Sequence, residues 1–327
     1  MLKCQTNLLS LVDSMAARTI APTSTFGEFT HFQPTPGSVY LYAHSSEQRS
    51  LLPDDWRQRN AHVDFFEVTE QSEDFILVRG RGSTQKIALR SDRSGADFFE
   101  PMKTKELYID ITGMTHRTWS SVVRSALSSG ARVLAVYTEP KEYAFSRTPT
   151  EGEIYDLSDK IEGIAPLPGF ADLTGSAEEE LLFIPFLGFE GARFAHLLEQ
   201  VQPKTNCTIP VVGLPGFRPA YPFDAVWGNK APLLASKGHR RIQYAAANCP
   251  FAAFAVLKKL AAETPKRLIV APIGTKPHAL GVILFWISNQ TTGRSIEIIY
   301  DHPIRKPSRT DGARRVSVYD LSAFLAQ

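Results

Sequence analysis

Short apolar runs, each closed by glycine, proline or a polar turn, set the pattern of this 327-residue chain. In the opening third, residues 38–43 (SVYLYA), 63–68 (VDFFEV), 75–79 and 86–89 read as strands, the last two joined through Gly80 and Gly82 as a hairpin. A short helix is predicted over 52–59. From Glu106 the rhythm becomes strand, glycine loop, helix, strand. Strands are predicted at 107–111 (LYIDI), 132–137 (RVLAVY), 181–186 (LLFIPF), 208–212, 267–271 (RLIVA), 297–300 and 317–319. Helices are predicted at 117–127, 192–201, 248–262 and 275–288, with Asn248 as the cap of the third. Residues 141–180, rich in proline and glycine, read as an excursion from the sheet. At the N-terminus, Leu8, Leu11, Val12 and Met15 share one face of a predicted amphipathic helix.

Continuous apolar strands alternating with helices predict an α/β fold: a Rossmann-like, largely parallel sheet with helices on both faces. Residues 1–105 form a mixed, β-rich N-terminal portion and 106–327 the ligand-binding part. No polar linker separates them, so one continuous fold is expected.

Composition narrows the classes. Three scattered cysteines, Cys4, Cys207 and Cys249, argue against a disulfide scaffold or a cysteine metal site and fit a reducing, cytoplasmic compartment. No apolar run is long enough to span a bilayer. The net charge of +2 conceals a split. Residues 1–199 hold 19 Lys and Arg against 28 Asp and Glu, a balance of −9; residues 200–327 hold 17 against 6, a balance of +11. Either the basic part attracts an anionic partner or the acidic part neutralises it in space.

In open parallel sheets, ligands bind beyond the C-terminal ends of the strands. The loops there carry Gly113 and Arg117; Gly188, Glu190, Gly191 and Arg193; Gly213 and Arg218; Gly274, Thr275 and Lys276; and Arg305, Lys306 and Arg309. Glycine admits close backbone approach, a helix N-terminus favours an anion, and Lys or Arg adds charge-assisted hydrogen bonds. In 268–285, LIVAPIGTKPHALGVILF, Thr275 is placed to cap a helix, Lys276 to project toward an anion, and Gly281 to bring the helix close to the sheet.

That strand, Gly274-Thr275-Lys276-Pro277 and apolar helix resemble the signature loop of CARF-type Rossmann-like sensor domains of prokaryotic antiviral systems. The resemblance implies binding of a cyclic oligoadenylate, with Gly274, Thr275 and Lys276 at the ligand. The chain departs from the usual arrangement in carrying the motif in its C-terminal part.

Walker A, GxGxxG, HExxH and GxSxG patterns are absent, so no cofactor or metal is expected. Asp110 and Glu190 are the candidate catalytic carboxylates, with Arg117 or His116 as expected partners for Asp110. The expected function is binding of a phosphate-bearing small molecule, a nucleotide or cyclic oligonucleotide, as a sensor or accessory protein, with antiphage defence as its setting. The alternatives are a nucleotide hydrolase or transferase, and a basic accessory subunit touching nucleic acid or a partner protein. No membrane is expected as a partner.

Overall fold

The computed structural model describes residues 22–150, 152–171, 180–307 and 309–327. The amphipathic helix expected near Leu8 lies outside them. In chain order the strands are β1 (Thr23–Phe26), β2 (Val39–Tyr42), β3 (Asp64–Glu70), β4 (Phe75–Gly80), β5 (Ser83–Ala88), β6 (Glu106–Asp110) and β7 (Arg132–Tyr143). Then come β8 (Phe145–Thr150), β9 (Glu153–Tyr155), β10 (Ser158–Ile161), β11 (Ala165–Pro166), β12 (Leu181–Phe186), β13 (Val211–Gly213) and β14 (Gln243–Ala245). The last four are β15 (Arg267–Pro272), β16 (Ile296–Tyr300), β17 (Pro303–Arg305) and β18 (Thr310–Asp320).

Two large sheets result. The first has eight strands in the order β1-β18-β7-β6-β2-β3-β4-β5, with β7, β6, β2 and β3 mutually parallel. The second has six, β11-β16-β15-β12-β13-β14, parallel from β16 to β14. The sheets do not divide at residue 105: β6 pairs with β2, and β18 returns to pair with β7. The second sheet is therefore an insertion between two adjacent strands of the first.

Alternation along the first sheet explains why it is buried on both sides. Val39, Leu41, Leu107, Ile109, Val133 and Ala135 enter the main core. Their neighbours Tyr40, Tyr42, Tyr108, Leu134 and Val136 enter a second cluster around Phe32 and Trp56. Period-two alternation between two apolar faces is the expected behaviour of a covered strand. Trp56, on the helix Asp54–Arg59, donates its indole N–H to the Phe32 carbonyl at 2.6 Å, so its burial leaves no orphan donor.

The main core is shared by both sheets. Helix Lys276–Ser288 is buried from Lys276 to Trp286, as an all-round apolar helix must be, and packs on the helices Pro250–Glu263 and His116–Ser128. Gly281 opens the contact with the first of these, not with the sheet: a Cβ there would lie 2.1 Å from the Pro250 carbonyl oxygen. Asn248 is likewise not the cap of Pro250–Glu263; Cys249 stands at that position. The excursion expected over 141–180 supplies the β8–β9 hairpin and the short strands β10 and β11, which pair with β17 and β16.

Candidate functional site

Numbered by sequence, the parallel strands of the second sheet run third, second, first, fourth, fifth from β14 to β16. The order reverses between β12 and β15, and the crevice beyond that point is where open sheets receive ligands. Here the loops close on each other. A Cβ on Gly188 would stand 2.9 Å from the Ile273 carbonyl oxygen, and one on Gly274 would stand 2.7 Å from that of Leu187. The two glycines thus admit backbone against backbone. What remains is a cavity of about 80 Å³, bordered by Gly188, Gly213, Gly274, Thr275, Arg193 and Arg309. Its aromatic wall comprises Tyr143, Phe189, Phe217 and Tyr221. Tyr143 and Tyr221 were not foreseen in the sequence. Tyr143 ends a strand that continues through Pro140, and Tyr221 opens a helix, Tyr221–Gly228, whose exposed Phe223 and Trp227 blur its amphipathic pattern.

Thr275 is the N-cap of Lys276–Ser288: its hydroxyl accepts from the His278 amide at 3.3 Å and donates to the Ala247 carbonyl at 2.6 Å. Lys276 turns away from the cavity. Its ammonium donates to the carbonyls of Ile111 and Thr112, each at 2.6 Å, and of Met114 at 2.7 Å. Three acceptors match the three donors of a protonated lysine. The side chain expected to meet an anion instead fastens the second sheet to the loop after β6. Burial, and then the guanidinium groups of Arg305 and Arg49, hold its pKa well below the ordinary lysine value.

The other predicted cations separate into three groups. Arg193 and Arg309 border the cavity, each held by a carboxylate. Arg193 makes a bidentate pair with Asp301, both contacts at 2.6 Å, and donates to the Ile273 carbonyl at 3.1 Å. Arg309 pairs with Glu47 at 2.9 and 3.0 Å. Arg218 and Lys306 are elsewhere: Arg218 is exposed and paired with Glu142 at 2.6 Å, and Lys306 pairs with Asp156. Gly191 packs against the end of helix Tyr221–Gly228, its Cβ position 2.0 Å from the Gly228 carbonyl oxygen. Arg305 alone has no carboxylate partner among the described residues. Its one hydrogen bond, to the Met114 carbonyl, is 3.5 Å long. Burial, and then Arg309, push its pKa down to about 10.

The charge split of the sequence is partly undone in space. Glu47, Glu139, Glu142, Asp156 and Glu180 of the acidic part pair with Arg309, Arg315, Arg218, Lys306 and Lys266 of the basic part. A surplus survives between the sheets, where Arg49, Arg193, Lys276, Arg305 and Arg309 face Glu47, Asp110, Glu190 and Asp301. Burial alone would raise the Glu47 carboxyl. Arg49, Arg309, Lys276 and Arg305 outweigh it and hold the group well below the usual carboxylate range. Five cations against four carboxylates leave a surplus of one in a shielded place, which favours an added anion.

Both carboxylates considered for catalysis are occupied. Asp110 accepts from the Tyr40 hydroxyl at 3.0 Å and the Thr112 amide at 2.9 Å, rather than from Arg117 or His116. Burial raises its pKa. Glu190 accepts from the amides of Leu157 and Ser158 and from the Ser158 hydroxyl, fixing the turn between β9 and β10. Among the described residues no group of three or more His, Cys, Asp or Glu side chains is arranged to hold a metal ion, and no helix is long and apolar enough to cross a membrane. No protein-family model matches the chain, and no curated protein matches it.

Proposed function

We propose that the chain is a binding protein for a phosphate-bearing ligand, a nucleotide or cyclic oligonucleotide, received at the β12/β15 reversal of a Rossmann-like second sheet. The observation that carries the reading is the meeting of three glycine loops at that reversal, beside a surplus of buried positive charge. An 80 Å³ space is far smaller than the roughly 300–1,000 Å³ of ordinary small-molecule sites, so it would take a phosphate group alone, and the rest of the ligand would extend past the aromatic wall toward solvent. With Lys276 committed to backbone carbonyls, the phosphate falls to Arg193, Arg309 and the amides of the 274–275 turn. The likeness of the Gly274-Thr275-Lys276-Pro277 segment to CARF-type domains supports a sensor role in antiviral defence and a cytoplasmic setting. The engagement of Asp110 and Glu190 in fixed hydrogen bonds favours binding over turnover.

The test is thermal unfolding of the full chain against a panel of mononucleotides, dinucleotides and cyclic oligonucleotides, repeated on Arg309→Gln. A ligand-dependent rise in Tm that Arg309→Gln weakens is expected. No shift with any phosphate ligand at millimolar concentration rejects the reading.

A further inference from the structure

The first sheet has its own reversal of strand order. Its parallel strands β3-β2-β6-β7 run second, first, third, fourth, so the order turns between β2 and β6. At its floor the strand ends are tightly closed: a Cβ on Gly113 would lie 1.8 Å from the Ala43 carbonyl oxygen. Above that floor lies a cavity of about 560 Å³ whose walls mix cations and carboxylates, Arg117 and Arg305 with Glu70 and Glu162. A surface of more uniform character lies on the helices Tyr221–Gly228 and Lys230–Ala235.

Eight large apolar side chains are exposed among the described residues, and six of them lie between positions 214 and 244. Exposed apolar groups scattered singly are ordinary, whereas a contiguous set marks a contact surface. Phe223, Val226 and Trp227 stand at i, i+3 and i+4 on helix Tyr221–Gly228 and share one face, while Pro222, Ala225 and Gly228 are buried on the other. The Lys230 ammonium lies 4.9 Å from the centre of the Trp227 ring, and Leu234 follows Lys230 one turn later on helix Lys230–Ala235. The outer faces of the two helices therefore adjoin. Phe223 is 77% exposed, Leu234 54% and Trp227 44%. These side chains stand out from the surface and border neither cavity, whereas Tyr221 and Ala225, on the inner side of the same helix, border the one at β12/β15.

The charge around this face has one sign. Between 214 and 244 the chain holds five Lys and Arg, at 218, 230, 237, 240 and 241, against a single acid, Asp224. Asp224 accepts from the Tyr155 hydroxyl at 2.9 Å. Lys237 joins the end of the second helix, its amide bonded to the Leu234 carbonyl at 3.1 Å, and Arg240 and Arg241 follow within the next turn. All three are exposed, and none forms an ion pair among the described residues. The occupant must therefore be apolar at its centre and anionic around it. A second copy of the chain fails this, since pairing the face with itself sets cations against cations. A nucleic acid uses aromatic rings for stacking, but Val226 and Leu234 have no part in that. A lipid layer meets both needs without a matching relief. Protruding Phe, Trp and Leu enter the boundary of headgroups and acyl chains, while Lys and Arg around them reach anionic headgroups.

We propose that the outer face of helices Tyr221–Gly228 and Lys230–Ala235 docks the protein on an anionic phospholipid surface. Sequence reading gave no membrane partner because a spanning segment needs a long apolar run; a docking face needs none. The test is co-sedimentation of the full chain with vesicles of phosphatidylcholine alone and of phosphatidylcholine with an equal share of phosphatidylglycerol. Binding to the mixed vesicles is expected, with loss at raised salt and little binding to phosphatidylcholine alone. The other tryptophans, Trp56, Trp119 and Trp286, are buried, so bromine-labelled acyl chains in the mixed vesicles are expected to quench Trp227. Trp227→Phe should keep the binding and lose the quenching. Burying a phenylalanine is worth roughly a factor of ten or more in partition, so Phe223→Ser should weaken binding at least tenfold. Lys237→Glu with Arg240→Glu should do the same, and Leu51→Ser, at an exposed leucine far along the chain, should change nothing. Thermal melts check that each variant is folded. The proposal is overturned if the mixed vesicles are not bound, if Trp227 is not quenched on binding, or if Phe223→Ser binds as the parent does. Without vesicle binding, dimerisation lost in Phe223→Ser would give the face to a second copy. Binding of a synthetic Glu/Leu amphipathic helix, or of oligothymidylate, would in that case give it to an acidic protein or to nucleic acid.

Discussion

The two reversals of strand order make a natural comparison, because the same chain solves the same local problem twice with opposite results. At β12/β15, glycines let the loops lie against each other, both arginines bordering the cavity are tied to carboxylates, and little space is left. At β2/β6, one glycine closes the floor alone, and the walls stand apart with an arginine between them that has no carboxylate partner. Glycine after a strand therefore signals close approach without saying what approaches. At β12/β15 the approaching group is the protein itself.

The largest effects should come from the groups that close the second reversal. Lys276→Met leaves the Ile111 and Thr112 carbonyls without that donor and the Met114 carbonyl with only its long contact to Arg305, and Arg193→Gln leaves the fully buried Asp301 without its partner. Each should lower unfolding free energy by roughly 3–5 kcal/mol in urea titrations. A Lys276→Met protein as stable as the parent would break the contrast, since the lysine would then be free for a ligand.

Acid should act next. Burial lowers the pKa of His278 to about 4, and its Nε2 lies 3.1–3.2 Å from the carbonyls of Ala245 and Ala246. The folded state holds this ring neutral, so the unfolded state binds more protons between pH ~6.5 and ~4. Stability is therefore lost as pH falls through that window, by roughly 3 kcal/mol for this group. His116, whose pKa burial and then Arg305 lower well below the ordinary value, acts in the same direction. Urea midpoints at pH 7, 5.5 and 4.5 measure the slope, and a flat profile contradicts it.

Glycine replacements compare the two floors directly. Gly113→Ala, with its Cβ 1.8 Å from a carbonyl oxygen, should cost roughly 2–3 kcal/mol, and Gly274→Ala, at 2.7 Å, roughly 1–2. The opposite ranking in thermal melts would mean that the loops after β12 are the less yielding. The smallest effect is expected from Arg305→Gln. Removing an unpaired, half-buried cation should change stability by less than about 1 kcal/mol, and in the favourable direction, in contrast to Arg193→Gln.

Much of the fold is written locally. Residues 181–186 form β12 to the residue because LLFIPF is an uninterrupted apolar run, and the cap at Thr275 follows from its place before Lys276 and Pro277. Helices Tyr221–Gly228 and Lys230–Ala235 were not legible, since exposed Phe223, Trp227 and Leu234 remove the polar face that would mark them. Strand β14 is too short for a periodic signal, whereas helix Asp92–Phe99 carries one, with Ser91 as its cap and Gly95, Phe98 and Phe99 on its buried face, and is absent from the expected elements. The candidate sites were legible only in part. The loops around the smaller cavity could be gathered from strand ends, but the destination of Lys276 is a loop 162 to 165 residues away, and no local pattern encodes that contact. Arg305 stands out in the sequence by its charge, but nothing local shows that it lacks a carboxylate partner in space. The strand pairing of β6 with β2 was equally hidden, because pairing partners follow from the whole sheet and not from one run.

The return of β18 has a consequence for how the chain is made. β18 lies between β1 and β7, yet it is synthesised after the entire second sheet. Until β18 is made, the edge of β7 that it covers has no partner in the chain, and an unpaired strand edge is a site for wrong pairing. The second sheet emerges during that interval with a core-forming helix of its own, Lys276–Ser288, and Lys276 to grasp the β6 loop. The first sheet is therefore completed by nearly the last strand of the chain, after the whole inserted sheet and its helix Lys276–Ser288 have been made.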